Sequence, residues 1–143
     1  MTKPANTPCF CNALRQASRA VSRFYDEEMR EIGLRTTQFS LLSILSRSGE
    51  VRQGDLGELV LLDDTTLTRN LRPLAKNKWV VVRSGKDRRE RWVTITDSGS
   101  AKLREARPAW LRAQERMQAL LPDVAWQTLM KVLPEVARLT IDA

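Results

Sequence analysis

Residues 79–96 read WVVVRSGKDRRERWVTIT, two strand-like runs around a charged loop. WVVVR is apolar and β-branched, and RWVTIT alternates so that Val93 and Ile95 fall on one face. The pattern predicts a β-hairpin whose loop runs from Ser84 to Glu90. From Arg83 to Arg91 there are five basic and two acidic residues, so the tip carries net positive charge. A protruding loop has no core to serve, and arginine suits the narrow, electronegative minor groove of A·T-rich DNA. Lys86, Arg88, Arg89 and Arg91 are therefore candidate DNA contacts.

Immediately upstream lie the acidic pair Asp63 and Asp64, suited to capping, and then Thr65 through Asn77. On a helical wheel Leu67, Leu71 and Leu74 share one face. Thr65, Arg69, Arg72 and Lys76 lie opposite, with Thr66 and Pro73 at the flank. A shorter segment with Leu56, Leu59 and Val60 precedes it. Two short helices followed by a basic-tipped hairpin make a winged helix-turn-helix. A cationic helix face by itself is usually just solvated; the hairpin beside it tips the reading toward DNA. Thr65 and Thr66, near the helix start, can meet phosphates or base edges. An arginine can fork onto guanine O6 and N7 for about 1–3 kcal/mol of discrimination. Arg69 is the first choice for that role, with Arg72 beside it.

The flanks are helical. Residues 12–32 place Leu14, Ala17, Val21, Tyr25 and Ile32 on one side and Arg19, Arg23 and Arg30 opposite, with Gly33 as a left-handed stop. Thr36 or Thr37 can cap a second helix that buries Phe39, Leu42 and Leu45 and closes at Gly49. Thr96 caps another, in which Leu103, Ala106, Trp110, Ala113, Met117 and Leu120 recur at alternating three- and four-residue steps, the pattern of a helix-pairing seam. Pro122 and Asp123 mark a break and a new cap, followed by a stripe of Trp126, Leu129, Leu133 and Val136. Pro73, Pro108 and Pro134 fall inside periodic segments and predict kinks. With no repeat or linker, residues 1–143 are expected to form one unit.

Composition narrows the function. The chain has 143 residues, 42% hydrophobic and 29% charged, a globular balance. No apolar run approaches the roughly 18 residues a membrane span needs, so no membrane partner is expected and a cytoplasmic location is. Lys and Arg number 24 against 17 Asp and Glu, a net charge of +7 that suggests a polyanionic partner. There is no histidine, which removes the usual general base and the commonest metal ligand; an enzyme, a metal site and a cofactor are not expected. The two cysteines, Cys9 and Cys11, stand close to Arg15 and Arg19 and have neither disulfide-framework nor zinc spacing. They read as reduced thiols at a helix entrance or as a thiol sensor. The rival readings are a non-specific architectural nucleic-acid-binding protein and a thiol-dependent enzyme.

These residues resemble the MarR (multiple antibiotic resistance regulator) transcription factors over nearly the whole chain. DRRERWVTIT, residues 87–96, is similar to the family's wing signature, with Asp87, Arg89, Val93, Ile95 and Thr96 in the matching places and Gly99 as the small residue after it. TTLTRNLRPL, residues 65–74, resembles the recognition helix, and RTTQFSLLSIL, residues 35–45, the second helix. The resemblance implies a mainly α fold with a small β-hairpin wing. It places a DNA-binding lobe at residues 34–96 and dimerisation helices at 9–33 and 97–143. It also implies a homodimer on double-stranded DNA, with Arg89 in a minor groove and Asp87 organising the wing, and repression relieved by a signal. Two signals fit the family: a small aromatic ligand near Trp110, or oxidation at Cys9 or Cys11, where relatives have partner tyrosines and this chain has only Tyr25. Lys78 stands where glycine is common, which leaves the left-handed turn to Asn77. Gly54 and Gly57 predict a marginal short helix.

Overall fold

The computed structural model describes residues 8–143. The amphipathic start becomes α1 (Phe10–Met29), and a 3-10 turn (Arg30–Ile32) ends it at Gly33, whose φ of 74° is the left-handed stop expected there. α2 (Thr36–Ser48) begins one or two residues earlier than threonine capping would place it. The reason is tertiary: Asp26 of α1 accepts the Thr36 N–H at 2.7 Å, and the Gln38 side chain accepts that of Arg35 at 2.8 Å. Orphan donors of the first turn are thus satisfied without Thr36 or Thr37 serving as the cap.

Next come β1 (Val51–Arg52), α3 (Gln53–Val60), α4 (Asp64–Lys76), β2 (Val80–Ser84) and β3 (Arg91–Ile95). The wing is more than a hairpin, because β1 adds a third antiparallel strand in the order β1-β3-β2. Register places Val51 and Val82 opposite Val93 on the core side. Around Val93 the fully buried Leu42, Leu45, Leu56, Leu67, Leu74 and Val80 form the core, so α4 is seated by its leucines and presents its other face outward. α3 forms despite its glycines, and a Cβ on Gly57 would stand 3.1 Å from the Leu62 carbonyl, so that site serves a close backbone approach.

The left-handed turn after α4 falls on Lys78 (φ 61°), not on Asn77, which stays at φ −82° and ψ 1°. Asn77 is held by its N–H and its Nδ2, both donating to the Pro73 carbonyl, and Thr96 Oγ1 donates to the Lys78 carbonyl at 2.6 Å. The hairpin's closure therefore forces the turn one residue later, onto a side chain that dislikes it. Lys78→Gly is expected to stabilise the fold by about 0.5–1 kcal/mol, read as a higher Tm at fixed protein concentration.

Thr96 caps α5 (Asp97–Leu120), its Oγ1 accepting the Gly99 N–H at 2.9 Å. α5 packs along α1, where Glu28 pairs with Arg112 at 3.6 Å and with Arg116, and Tyr25 donates to Gln114. α6 (Asp123–Ile141) has Pro122, not Asp123, in the cap position; Asp123 lies in the first turn, where its charge meets the helix's positive end. The helices run unbroken through Pro73, Pro108 and Pro134. No residue of α6 is buried: Leu129 and Leu133 of its stripe are exposed, as are Val124, Met130 and Ile141.

Candidate nucleic-acid interface

Asp63 caps α4 by accepting the Thr66 N–H at 2.7 Å. Hydrogen bonds from the Thr66 backbone, then from its side chain, and the charge of Arg69 hold the Asp63 carboxyl below its ordinary range. A lowered native pKa means stability that is present above the unfolded value, near pH 4, and lost as pH falls through the native one. Acid unfolding of the wild type below about pH 4 should therefore be steeper than that of Asp63→Asn, which keeps a capping oxygen without the charge, as followed by circular dichroism.

From this start, Thr65, Arg69, Arg72 and Lys76 are exposed on the outer face of α4, and Thr66 is half-buried at its first turn. In the loop, Asp87 Oδ1 accepts the Arg89 N–H at 3.0 Å, its carbonyl accepts that of Glu90 at 3.0 Å, and Gly85 N–H donates to the Glu90 carbonyl at 2.8 Å. Asp87 thus sits inside the turn and leaves Lys86, Arg88 and Arg89 pointing to solvent, with Arg91 exposed at the start of β3. Between α4 and the wing strands lies a cleft of about 330 Å³ lined in part by Thr68, Arg72 and Arg91.

Ion pairing separates these cations from their neighbours. Arg52 is paired with Glu90 at 3.2 Å, and Arg83 with Glu50. Among the described residues, Arg69, Arg72, Lys76, Lys86, Arg88, Arg89 and Arg91 have no acidic partner within 4.0 Å. An exposed cation without a carboxylate keeps its charge available to an incoming anion.

Sequence reasoning missed Gln53, the buried polar side chain of the described core. Its Nε2 donates to Asp64 Oδ1 and to Thr68 Oγ1, both at 3.0 Å, tying the first residue of α3 to the first two turns of α4. Only the hydrophobic-to-polar break just after β1 signals it, and that break resembles any solvated helix start. The sensing candidates lie elsewhere. Trp110 of α5 stacks on Phe39 of α2 (5.6 Å between centroids, 15° between planes) beside a cavity of about 280 Å³ that Arg47 and Arg107 also line. Cys9 caps α1, its Sγ accepting the Asn12 N–H at 3.5 Å; Cys11 is in the first turn, and both thiols are free and exposed.

Known proteins share this fold. The MarR-family sequence profile matches residues 32–90, which span α2 to the wing loop. The transcriptional regulator MosR of M. tuberculosis, solved in complex with DNA, is 30% identical and superposes with a TM-score of 0.84 over 94% of this chain and 98% of its own. The chain belongs to the MarR family. Two further relatives carry the same description of transcriptional regulator. YwoH of Bacillus subtilis is 28% identical over 110 residues, 77% of this chain and 80% of its own. SarZ of Staphylococcus aureus is 31% identical over 86 residues, 59% and 58% of the two chains. The protein is a MarR-family transcriptional regulator with the winged helix-turn-helix of that family. Among its described residues no helix is long and apolar enough to cross a membrane.

Proposed function

We propose that the protein is a repressor that acts in the cytoplasm, binds a pseudo-palindromic operator as a homodimer and leaves it on a small-molecule or oxidative signal. The carrying observation is the set of unpaired cations on the outer face of α4 and on the wing loop. Arg69 reads a base edge in the major groove, Thr65, Thr66 and Arg72 support it, and Lys86, Arg88, Arg89 and Arg91 take the adjacent backbone and minor groove. Asp87 organises the wing around Arg89. Residues 34–96 form the DNA-binding lobe, and residues 9–33 and 97–143 form the dimer, a division supported by the exposed apolar side of α6. Two-fold symmetry then spaces the half-sites about one helical turn apart, roughly 34–36 Å.

Selection of bound fragments from random duplex DNA tests specificity and symmetry together; equal affinity for random duplexes would favour a coating protein instead. On a selected duplex, Arg69→Ala should cost about 1–3 kcal/mol and flatten preference at one position per half-site. Arg89→Ala should weaken binding most where the flanks are A·T-rich. Unchanged binding by both variants in a shift assay removes the site.

For the signal, the Trp110 cavity offers an aromatic wall and two guanidinium groups, which suits a small aromatic anion. The second reading is favoured by Cys9 itself: a thiol that caps α1 changes the cap when oxidised. Mass spectrometry after peroxide, paired with DNA binding, separates the two, because oxidation without release ends the redox reading.

A further inference from the structure

The two faces of the small sheet divide its residues by row. Val51, Val93 and Val82 are aligned across β1, β3 and β2 on the core side. The neighbouring row, on the opposite face, is Arg52, Trp92 and Arg83. Register thus sets one arginine on each side of the indole, and their guanidinium carbons lie 5.2 Å and 5.6 Å from its ring centroid. Both contacts are within cation–π range, and directly opposed cross-strand residues are the pairs that stabilise a sheet most.

Each arginine is held by a carboxylate from a different segment. Arg52 pairs at 3.2 Å with Glu90, the residue next to Arg89. Arg83 pairs with Glu50, whose other oxygen accepts from Thr94 Oγ1 at 3.3 Å. These two cations are neutralised locally, unlike those at the wing tip. β1 has only two residues in the ladder, so its backbone bonds alone hold it weakly to β3. The side-chain row supplies the missing attachment at the root of the loop, while Asp87 shapes its tip.

We propose that Trp92, clasped between Arg52 and Arg83 across the sheet, is a positioning residue for the wing: it fixes where Arg89 meets the duplex and so sets the preference for A·T-rich flanks. The inference rests on the minor-groove reading of Arg89. It assigns no DNA contact to the row itself.

The test uses the full-length protein and one selected duplex carrying either A·T or G·C flanks, with affinity measured by fluorescence anisotropy and thermal unfolding run alongside. Trp92→Ala is expected to lower the A·T-over-G·C preference about five-fold while affinity for the G·C-flanked duplex stays within about two-fold. Its salt slope should match the wild type, since no phosphate contact is removed. Trp92→Phe, which keeps a ring face between the arginines, should recover most of the preference. Arg52→Gln, at an exposed side chain, should shift it in the same direction and stands in if Trp92→Ala does not fold. If Arg89→Ala abolishes the preference but Trp92→Ala and Arg52→Gln leave it intact, the positioning role is overturned and the Arg89 reading survives. If Arg89→Ala leaves the preference intact, both fall. Equal losses on both flanks with a lower Tm would mean that Trp92 only stabilises the sheet, which also overturns the proposal.

Discussion

Raising salt from 50 to 200 mM should lower affinity for a selected duplex about 10³- to 10⁵-fold, if the dimer neutralises roughly 6–10 phosphates. The ion-pair pattern supplies enough free cations for that number of contacts. Arg69, Arg72, Lys76, Lys86, Arg88, Arg89 and Arg91 lack acidic partners among the described residues, so the two protomers of the proposed dimer present more free cations than the contacts require. Arg52 and Arg83, already paired with Glu90 and Glu50, release fewer counterions on binding and add little to the slope. Replacing one tip cation such as Arg88 by alanine should reduce the slope by about one per protomer, uniformly across sequences. Replacing Arg83 should reduce it less. A slope near zero in the wild type would remove backbone contact as the source of affinity, and equal slopes for Arg88→Ala and Arg83→Ala would remove the distinction between free and paired cations.

Gly99→Ala should be the most destabilising of the glycine-to-alanine changes. Gly99 lies in the first turn of α5, and a Cβ there would stand 2.0 Å from the Trp79 carbonyl oxygen and 2.9 Å from Ile95 Cγ1. That carbonyl cannot yield freely, because it accepts the Thr96 N–H at 3.0 Å and closes the base of the hairpin. Thr96 in turn caps α5 through the Gly99 N–H. Relief therefore requires moving α5 away from the wing root, breaking a cap and a strand-end bond together. The expected cost is about 3 kcal/mol, at the upper end of ordinary overpacking, or a fall of roughly 10 °C in Tm. Gly54→Ala, where an added Cβ meets nothing within 4 Å, is the control and should be neutral or stabilising. A Gly99→Ala protein that melts within about 1 kcal/mol of the wild type would show that α5 and the hairpin base do not approach as closely as described.

Both predictions use features with different legibility. The outer face of α4 was readable because Leu67, Leu71 and Leu74 repeat with the helix period on the opposite, buried face, which leaves the cations between them in sequence to point outward. The hairpin was readable from alternation around a charged loop. The helix stop at Gly33 and the caps at Asp63 and Thr96 followed from residue chemistry alone. The start of α2 did not, since Asp26 reaches it from another helix across ten residues of chain. β1 is too short to show any period, and the row it completes with Trp92 and Arg83 exists only through strand register.

The order of the helices and of the two hairpin strands, the positive wing and the outward-facing arginines of α4 were thus settled by the amino-acid pattern, because period, capping chemistry and charge act over a few neighbouring residues. Which cations stay free, where the left-handed turn falls, and how Gln53 joins α3 to α4 were settled only by tertiary structure. Each depends on partners that chain folding brings together: Glu50 for Arg83, the Thr96 hydroxyl for the Lys78 carbonyl, and Asp64 and Thr68 for Gln53. No local rule specifies a partner that lies 11 to 33 residues away.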